Sequence, residues 1–242
     1  MDTGSRRLLE TMPLHAITAT YGEDGLRERF AAEIASFGAA ERRRLEDALA
    51  LASRLHAGDR RQSEPYINHP LRVAIRIMSH YGIRDPDVIV AALLHDAVED
   101  HAAELAPSGT TEAALAVVAE RFGPRVAELV GAVTNPEYDP GRDRHVQYRE
   151  HVAASLDVSP WARVIKASDF TDNGAGLLYT TGPRVPELAD KYAGLVPVLR
   201  ELISRPDTPL DEAARQRVMA QLDRAEERFA AILPPEDQGA GS

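Results

Sequence analysis

The sequence predicts an all-α fold, and three observations carry that prediction. Ala, Leu, Arg and Glu recur throughout, while aromatics make up only 5% of the 242 residues, a mixture that favours helices over a β-sandwich. Helix start signals recur down the chain, and no stretch of alternating β-branched residues suggests a sheet. Hydrophobic residues at 44% and charged residues at 27% allow a sizeable core, so disorder is not the default state.

The elements follow in order. Helices are predicted over roughly 25–37, 41–57, 68–80, 86–101, 111–122, 124–134, 143–156, 160–173, 187–204 and 209–232. Asp85-Pro86, Ser159-Pro160 and Thr208-Pro209 each place a capping residue before a proline at the first helical position. Thr110 with Glu112 opens another helix, which Gly123 ends before Pro124 starts the next. Irregular stretches separate them at the Arg-rich segment from Ala57 to Asn68, at Thr134 to Arg142, and at Gly174 to Pro186. The organisation predicted is a helical N-terminal extension over residues 1–40, one helical domain over 41–233, and a short polar tail over 234–242. No internal repeat is visible.

Composition excludes several functions. A net charge of −10 argues against general binding to nucleic acid or to an anionic membrane surface. No apolar run approaches the roughly 20 residues that span a bilayer, and the start from Met1 to Arg7 leads into no signal-peptide core. With no cysteine, a metal would take His and carboxylate ligands, and the composition fits the cytoplasm. The same chain could still form homo-oligomers, a task open to residues 1–40.

Three segments carry chemistry. In Ala91 to Asp100, at about 100° per residue, His95, Glu99, Asp96 and Asp100 fall at about 0°, 40°, 100° and 140° of one helix face. A solvated acidic stripe and a metal site are both open readings of these residues alone; three crowded carboxylates repel unless a cation or proton neutralises them. In Arg60 to Pro70, a basic loop runs into His69 at the mouth of a helix. In Arg163 to Asn173, Lys166, Asp169 and Asn173 share a face at i, i+3 and i+7.

Together and in this order, the segments resemble the metal-dependent HD phosphohydrolases, specifically the hydrolase domain of the RelA/SpoT-type alarmone enzymes. The matching stretches are Arg61 to Pro70, Ala91 to Asp100 and Ile165 to Asn173, with Arg121 to Val130 and Ala132 to Thr134 between them. The resemblance covers about residues 45–205. It implies a single HD-type helical domain acting as a stand-alone small alarmone hydrolase, without a synthetase half.

It also implies one Mn²⁺ per chain, with His69, His95, Asp96 and Asp169 as ligands. Glu99 and Asp100 match the acidic pair that positions and deprotonates the attacking water. Arg61 matches the residue lying against the purine, where a guanidinium can stack. Arg60, Ser63 and Asn173 fall among the nucleotide contacts, as does Lys166, for which a phosphate contact and a pairing role both stand. Two departures mark an altered base and phosphate pocket: Arg61-Gln62-Ser63-Glu64-Pro65 lacks the family's glycine, and Phe170 stands where the family has arginine.

The activity implied is hydrolysis of the 3′-diphosphate of guanosine tetra- or pentaphosphate to GDP or GTP and pyrophosphate. The rivals are another nucleotide phosphatase, for example one acting on the 2′-phosphate of NADPH, and a non-catalytic alarmone sensor or antitoxin. Glu99 and Asp100 speak against a pure binder, which needs no pair to activate water.

Overall fold

The chain's structure, a computed structural model, describes residues 3–61, 64–179 and 182–233. Helices α1 (Thr3–Thr11) and α2 (Leu14–Ile34) form the N-terminal part. The predicted helix 25–37 is only the second half of α2. Gly22, at φ 63° and ψ −149°, bends α2 before it, a backbone state that glycine adopts without steric cost. Leu14, Ile17, Leu26 and Phe30 of α2 join the same hydrophobic core as the rest of the chain.

Three helices form the centre. In α4 (Asn68–Ser79) every residue from Asn68 to Met78 is buried, in α5 (Pro86–Leu94) every residue from Val88 to Leu94, and in α10 (Pro160–Asn173) every residue from Ala162 to Asp172. A helix covered on all sides needs partners all round. Accordingly α4 packs on α2, α5 and α10, while α5 also packs on α3 (Ala39–Leu55) and α8 (Pro124–Val133). Each fully buried Val, Leu or Ile there contributes roughly 1.5–3 kcal/mol. The outer layer comprises α6 (Ala97–Leu105), α7 (Thr111–Phe122), α9 (Arg144–Asp157), α11 (Val185–Ala193), α12 (Val196–Ser204) and α13 (Glu212–Ile232). No described helix is long and apolar enough to cross a membrane.

Several boundaries differ from expectation for identifiable reasons. The predicted helix 86–101 is two, because the chain turns at His95-Asp96 between α5 and α6. The predicted helix 187–204 is also two; Pro197 lacks an N–H and takes the first turn of α12 rather than an interior position. Thr208 does not open the last helix. Its hydroxyl donates to Leu202 O and accepts from Arg163, and Asp211 caps α13 instead, accepting from Ala214 N. Asp85 and Thr110 cap as expected, accepting from Asp87 N and Ala113 N, whereas the Ser159 side chain makes no capping bond. The Arg-rich loop holds an unforeseen two-residue hairpin, β1 (Arg60–Arg61) paired antiparallel with β2 (Glu64–Pro65).

Candidate active site

The central helices converge on four side chains. His69 stands at the start of α4, His95 and Asp96 at the turn after α5, and Asp169 near the end of α10. His69 Nε2 lies 3.2 Å from His95 Nε2 and 3.3 Å from Asp169 Oδ1. Asp96 Oδ2 lies 3.1 Å from His95 Nε2 and 3.6 Å from His69 Nε2. Neighbours on a continuous helix point about 100° apart. The break after Leu94 lets the adjacent His95 and Asp96 aim at one point. All four predicted metal ligands are thus brought together.

The hydrogen bonds behind the imidazoles fix what faces inward. His95 Nδ1 lies 2.8 Å from Ala92 O, a carbonyl that can only accept, so this nitrogen carries the proton. His69 Nδ1 donates to Asp172 Oδ2 at 2.8 Å. With Nδ1 committed to these acceptors, it is Nε2 of each ring that faces inward, beside two carboxylate oxygens, and it is the Nε2 lone pair that a metal would take. Four acceptors facing one another are stable only around a proton or a cation. Their spacing suits an ion: ligand atoms about 2.0–2.2 Å from a metal stand about 2.8–3.6 Å apart, the His69–His95 and three His–Asp separations run from 3.1 to 3.6 Å, and His95–Asp169, at 3.8 Å, is slightly wider. The residues fit a divalent metal. The charges say the same: burial opposes the imidazolium of His95, yet Asp96 and Asp169 raise its pKa well above the usual histidine value. Burial likewise opposes the charge on Asp169, but Lys166, His69 and His95 hold its carboxyl well below the usual range.

A second cluster, His56, Asp59 and His101, has a different character. Both rings lie only 2.7–2.8 Å from the same Asp59 oxygen, and His101 Nδ1 is 2.7 Å from Glu104. These are hydrogen-bond distances, and they leave less room than the four-residue centre.

Asp172 carries no signal in the local spacing, and sequence reasoning passed over it. It is fully buried, orients His69, and binds Arg72 and Arg76 from α4. Burial opposes its charge, but Arg72, His69 and Arg76 outweigh that and hold its carboxyl well below the usual range. Asp172→Asn keeps the shape and removes the charge. It is expected to weaken metal binding about 10–100-fold, as loss of a ligand's orienting partner does. It should also lower stability by about 3–5 kcal/mol by stranding buried guanidiniums. Metal titration and urea denaturation check both; unchanged metal affinity would make Asp172 a purely structural anchor.

A pocket of about 600 Å³ opens over the centre. Arg60, Arg61, Lys166, Asn173, Glu99 and Asp100, all expected at the site, line it. Ser63 falls outside the described residues. Arg61 donates to Asn173 Oδ1, and Asn173 in turn donates to Asp169, so the basic loop is tied to a ligand through one amide. Lys166 Nζ pairs with Asp169 Oδ2 at 2.8 Å, which gives it a pairing role. Glu99 is pinned from across the pocket, accepting from Asn135 N at 3.1 Å and Asn135 Nδ2 at 2.9 Å. Burial and the charges of Asp96 and Glu99 push the Asp100 carboxyl up to about 6.

Phe170, which stands where the resemblance puts arginine, does not line the pocket. It is buried and packs edge-on against Tyr192 at 6.1 Å and Phe229 at 6.4 Å, on the core side of α10. Gly174 follows from it, since a Cβ there would come within 2.8 Å of the Phe170 ring. Two further pocket residues had no signal in the motifs. Tyr66 donates to Asp96 Oδ2 at 2.7 Å. Lys191 of α11 lies over Tyr148 and Tyr192, 4.7 and 5.1 Å from their ring centres, and forms no ion pair among the described residues.

A His-Asp turn joined to a histidine and an aspartate from two other helices defines a class of helical metal-site proteins. Residues 48–155 match the family model described as HD domain, and the chain belongs to the HD-domain family. Among its relatives is the guanosine-3′,5′-bis(diphosphate) 3′-pyrophosphohydrolase MESH1 of Drosophila melanogaster, 32% identical over 161 residues that cover 64% of this chain and 83% of that protein. MESH1 of Homo sapiens is 38% identical over 53% of this chain and 66% of its own length. The guanosine-3′,5′-bis(diphosphate) 3′-pyrophosphohydrolase of Aquifex aeolicus is 34% identical over 53% of this chain and 17% of its own length. The chain thus spans just under two thirds of the human relative and a sixth of the bacterial one. A solved structure described as a metazoan ortholog of SpoT that hydrolyzes ppGpp superposes with a TM-score of 0.59 at 26% identity, covering 82% of this chain and all of that one.

Proposed function

We propose that this protein hydrolyses the 3′-diphosphate of guanosine tetra- or pentaphosphate, releasing pyrophosphate and GDP or GTP. The observation that carries the proposal is a four-acceptor metal centre beneath a pocket whose other charged lining includes Arg60, Arg61, Lys166 and Lys191. His69, His95, Asp96 and Asp169 hold the ion, for which we propose Mn²⁺, one per chain. When bound, such an ion supplies Lewis acidity at a phosphoryl oxygen and acidifies water.

The chain's own residues do the rest. A water oxygen forms a bond to the phosphorus on O3′, the O3′–P bond breaks, the pyrophosphate departs with the water oxygen, and O3′ takes a proton back from the acidic pair to become the 3′-hydroxyl of GDP or GTP. The proton of that water goes to the Glu99–Asp100 pair. Asn135 holds Glu99 in place, and Asp100, with its carboxyl near 6, is poised to take and return a proton close to neutral pH. Lys191 offers an ammonium that forms no ion pair among the described residues, lowered in pKa by burial and by Lys166 against the smaller pull of Asp169 and Glu99, and a substrate phosphate would neutralise it.

Incubation with Mn²⁺ and a nucleotide panel tests the reading. Pyrophosphate release from guanosine tetraphosphate is expected; orthophosphate release from NADPH alone would transfer the site to the 2′-phosphatase reading, and no turnover at all would leave a binding protein. Arg61→Ala is expected to raise KM about tenfold, the worth of one charge-assisted contact. Bound metal should stay at the wild-type level, because Lys166 still holds Asp169. Steady-state kinetics beside metal analysis read both, and an unchanged KM would move the nucleotide away from this loop.

A further inference from the structure

A second cavity, of about 760 Å³, lies on the opposite side of the last turn of α10. Its lining shares no residue with the pocket over the metal centre. Thr171 faces this cavity, Asp169 and Asn173 face the other, and buried Asp172 stands between. One wall is a face of α13 that carries Arg217, Arg224 and Arg228, and the start of α2 and the turn Ala175–Tyr179 complete it.

The charge of this wall is unbalanced. Arg217 donates to His80 O, but Arg224 and Arg228 make no hydrogen bond or ion pair among the described residues. Among the described residues Glu227 is the sole carboxylate in the lining. Guanidiniums gathered on one face of a protein of net charge −10 repel one another and attract an anion. One buried polar atom of the lining is also unsatisfied, the Arg228 Nε. A buried donor left unpaired costs stability that a ligand atom would restore. At the mouth, Tyr179 is 60% exposed and stacks on His15 at 4.3 Å, which leaves the outer face of an aromatic ring open to another flat group.

We propose that this cavity is a second ligand site, for a nucleoside polyphosphate that places its phosphates on Arg224 and Arg228 and its base against Tyr179. Clustered guanidiniums of which two make no ion pair among the described residues, an unpaired buried N–H and an open aromatic face are the recognition elements of that ligand class. The site stands apart from the hydrolysis proposed above and survives if that reading fails.

ATP, which has no 3′-phosphate, is the probe, titrated calorimetrically with excess Mg²⁺ into the metal-loaded protein. One binding event is expected that weakens at least about tenfold in Arg224→Ala/Arg228→Ala, given the worth of charge-assisted contacts, and stays within about twofold in Arg61→Ala. Adenosine should bind far more weakly than ATP. Equal ATP affinity in the double variant, loss of binding only in Arg61→Ala, or no binding by wild type at millimolar ATP would each overturn the proposal. Both arginines lie at or near the surface of α13, so the fold should persist; a melting curve checks it. If the double variant fails to melt cooperatively, Arg224→Glu alone, at the exposed position, gives the same reading.

Discussion

Asp96→Ala is expected to lose the metal and, with it, turnover. Asp96 supplies one of two carboxylates at the centre, and the other, Asp169, already shares its charge with Lys166. What remains is two neutral imidazoles and one half-neutralised carboxylate, a poor trap for a hard divalent ion. Disturbing a residue that merely orients a ligand costs about 10–100-fold in affinity, so removing a ligand costs more. Bound metal should fall from one ion per chain to a small fraction, and kcat by about 10³-fold or beyond, the scale that loss of Lewis-acid stabilisation commands. Thermal melts provide an independent reading. Mn²⁺ should raise the wild-type melting temperature by mass action and leave that of the variant unmoved. Undiminished stoichiometry would remove Asp96 from the ligand set.

The residues that could be found in the sequence are those whose role is stated locally. His69 at a helix mouth, the His95-Asp96 pair and Asp169 on the face of Lys166 stand in short motifs, and the fold brings each imidazole within 3.8 Å of both carboxylates. Capping residues such as Asp85 and Thr110 are likewise local, since each bonds within three residues of itself. What escaped depends on contacts between distant segments. Asp172 meets Arg72 and His69 about a hundred positions away, Glu99 meets Asn135, and Lys191 enters from a helix outside every motif. The turn between α5 and α6 escaped for the opposite reason. His95 and Asp96 both keep right-handed helical dihedrals, so nothing in residue preference marks a break that tertiary packing imposes. Phe170 shows what a family departure leaves open: the sequence marks a changed residue inside a motif, and only the fold shows that its side chain turns into the core.

The proton-handling pair makes the sharpest division between binding and chemistry. Glu99→Gln with Asp100→Asn is expected to keep metal and substrate and to lower kcat by about 10²–10⁴-fold, the usual cost of losing a general base. Neither residue is among the four whose side chains converge at the centre, His69, His95, Asp96 and Asp169, and both line the pocket above it. The single variants should differ. Glu99 spends its oxygens on Asn135, whereas Asp100, raised to about 6 by burial and by the charges of Asp96 and Glu99, is the freer proton acceptor. Asp100→Asn should therefore cost more in kcat than Glu99→Gln, and the double replacement should exceed either. Because Gln and Asn retain size and hydrogen-bonding capacity, melting temperatures should move little. The readouts are kcat with Mn²⁺ on the best nucleotide, metal content, and substrate affinity by calorimetry. A double variant with near-wild-type kcat would show that no carboxylate base is needed. Loss of metal alongside activity would make one of the pair a ligand or its support and would redraw the centre around five carboxylate and imidazole groups rather than four.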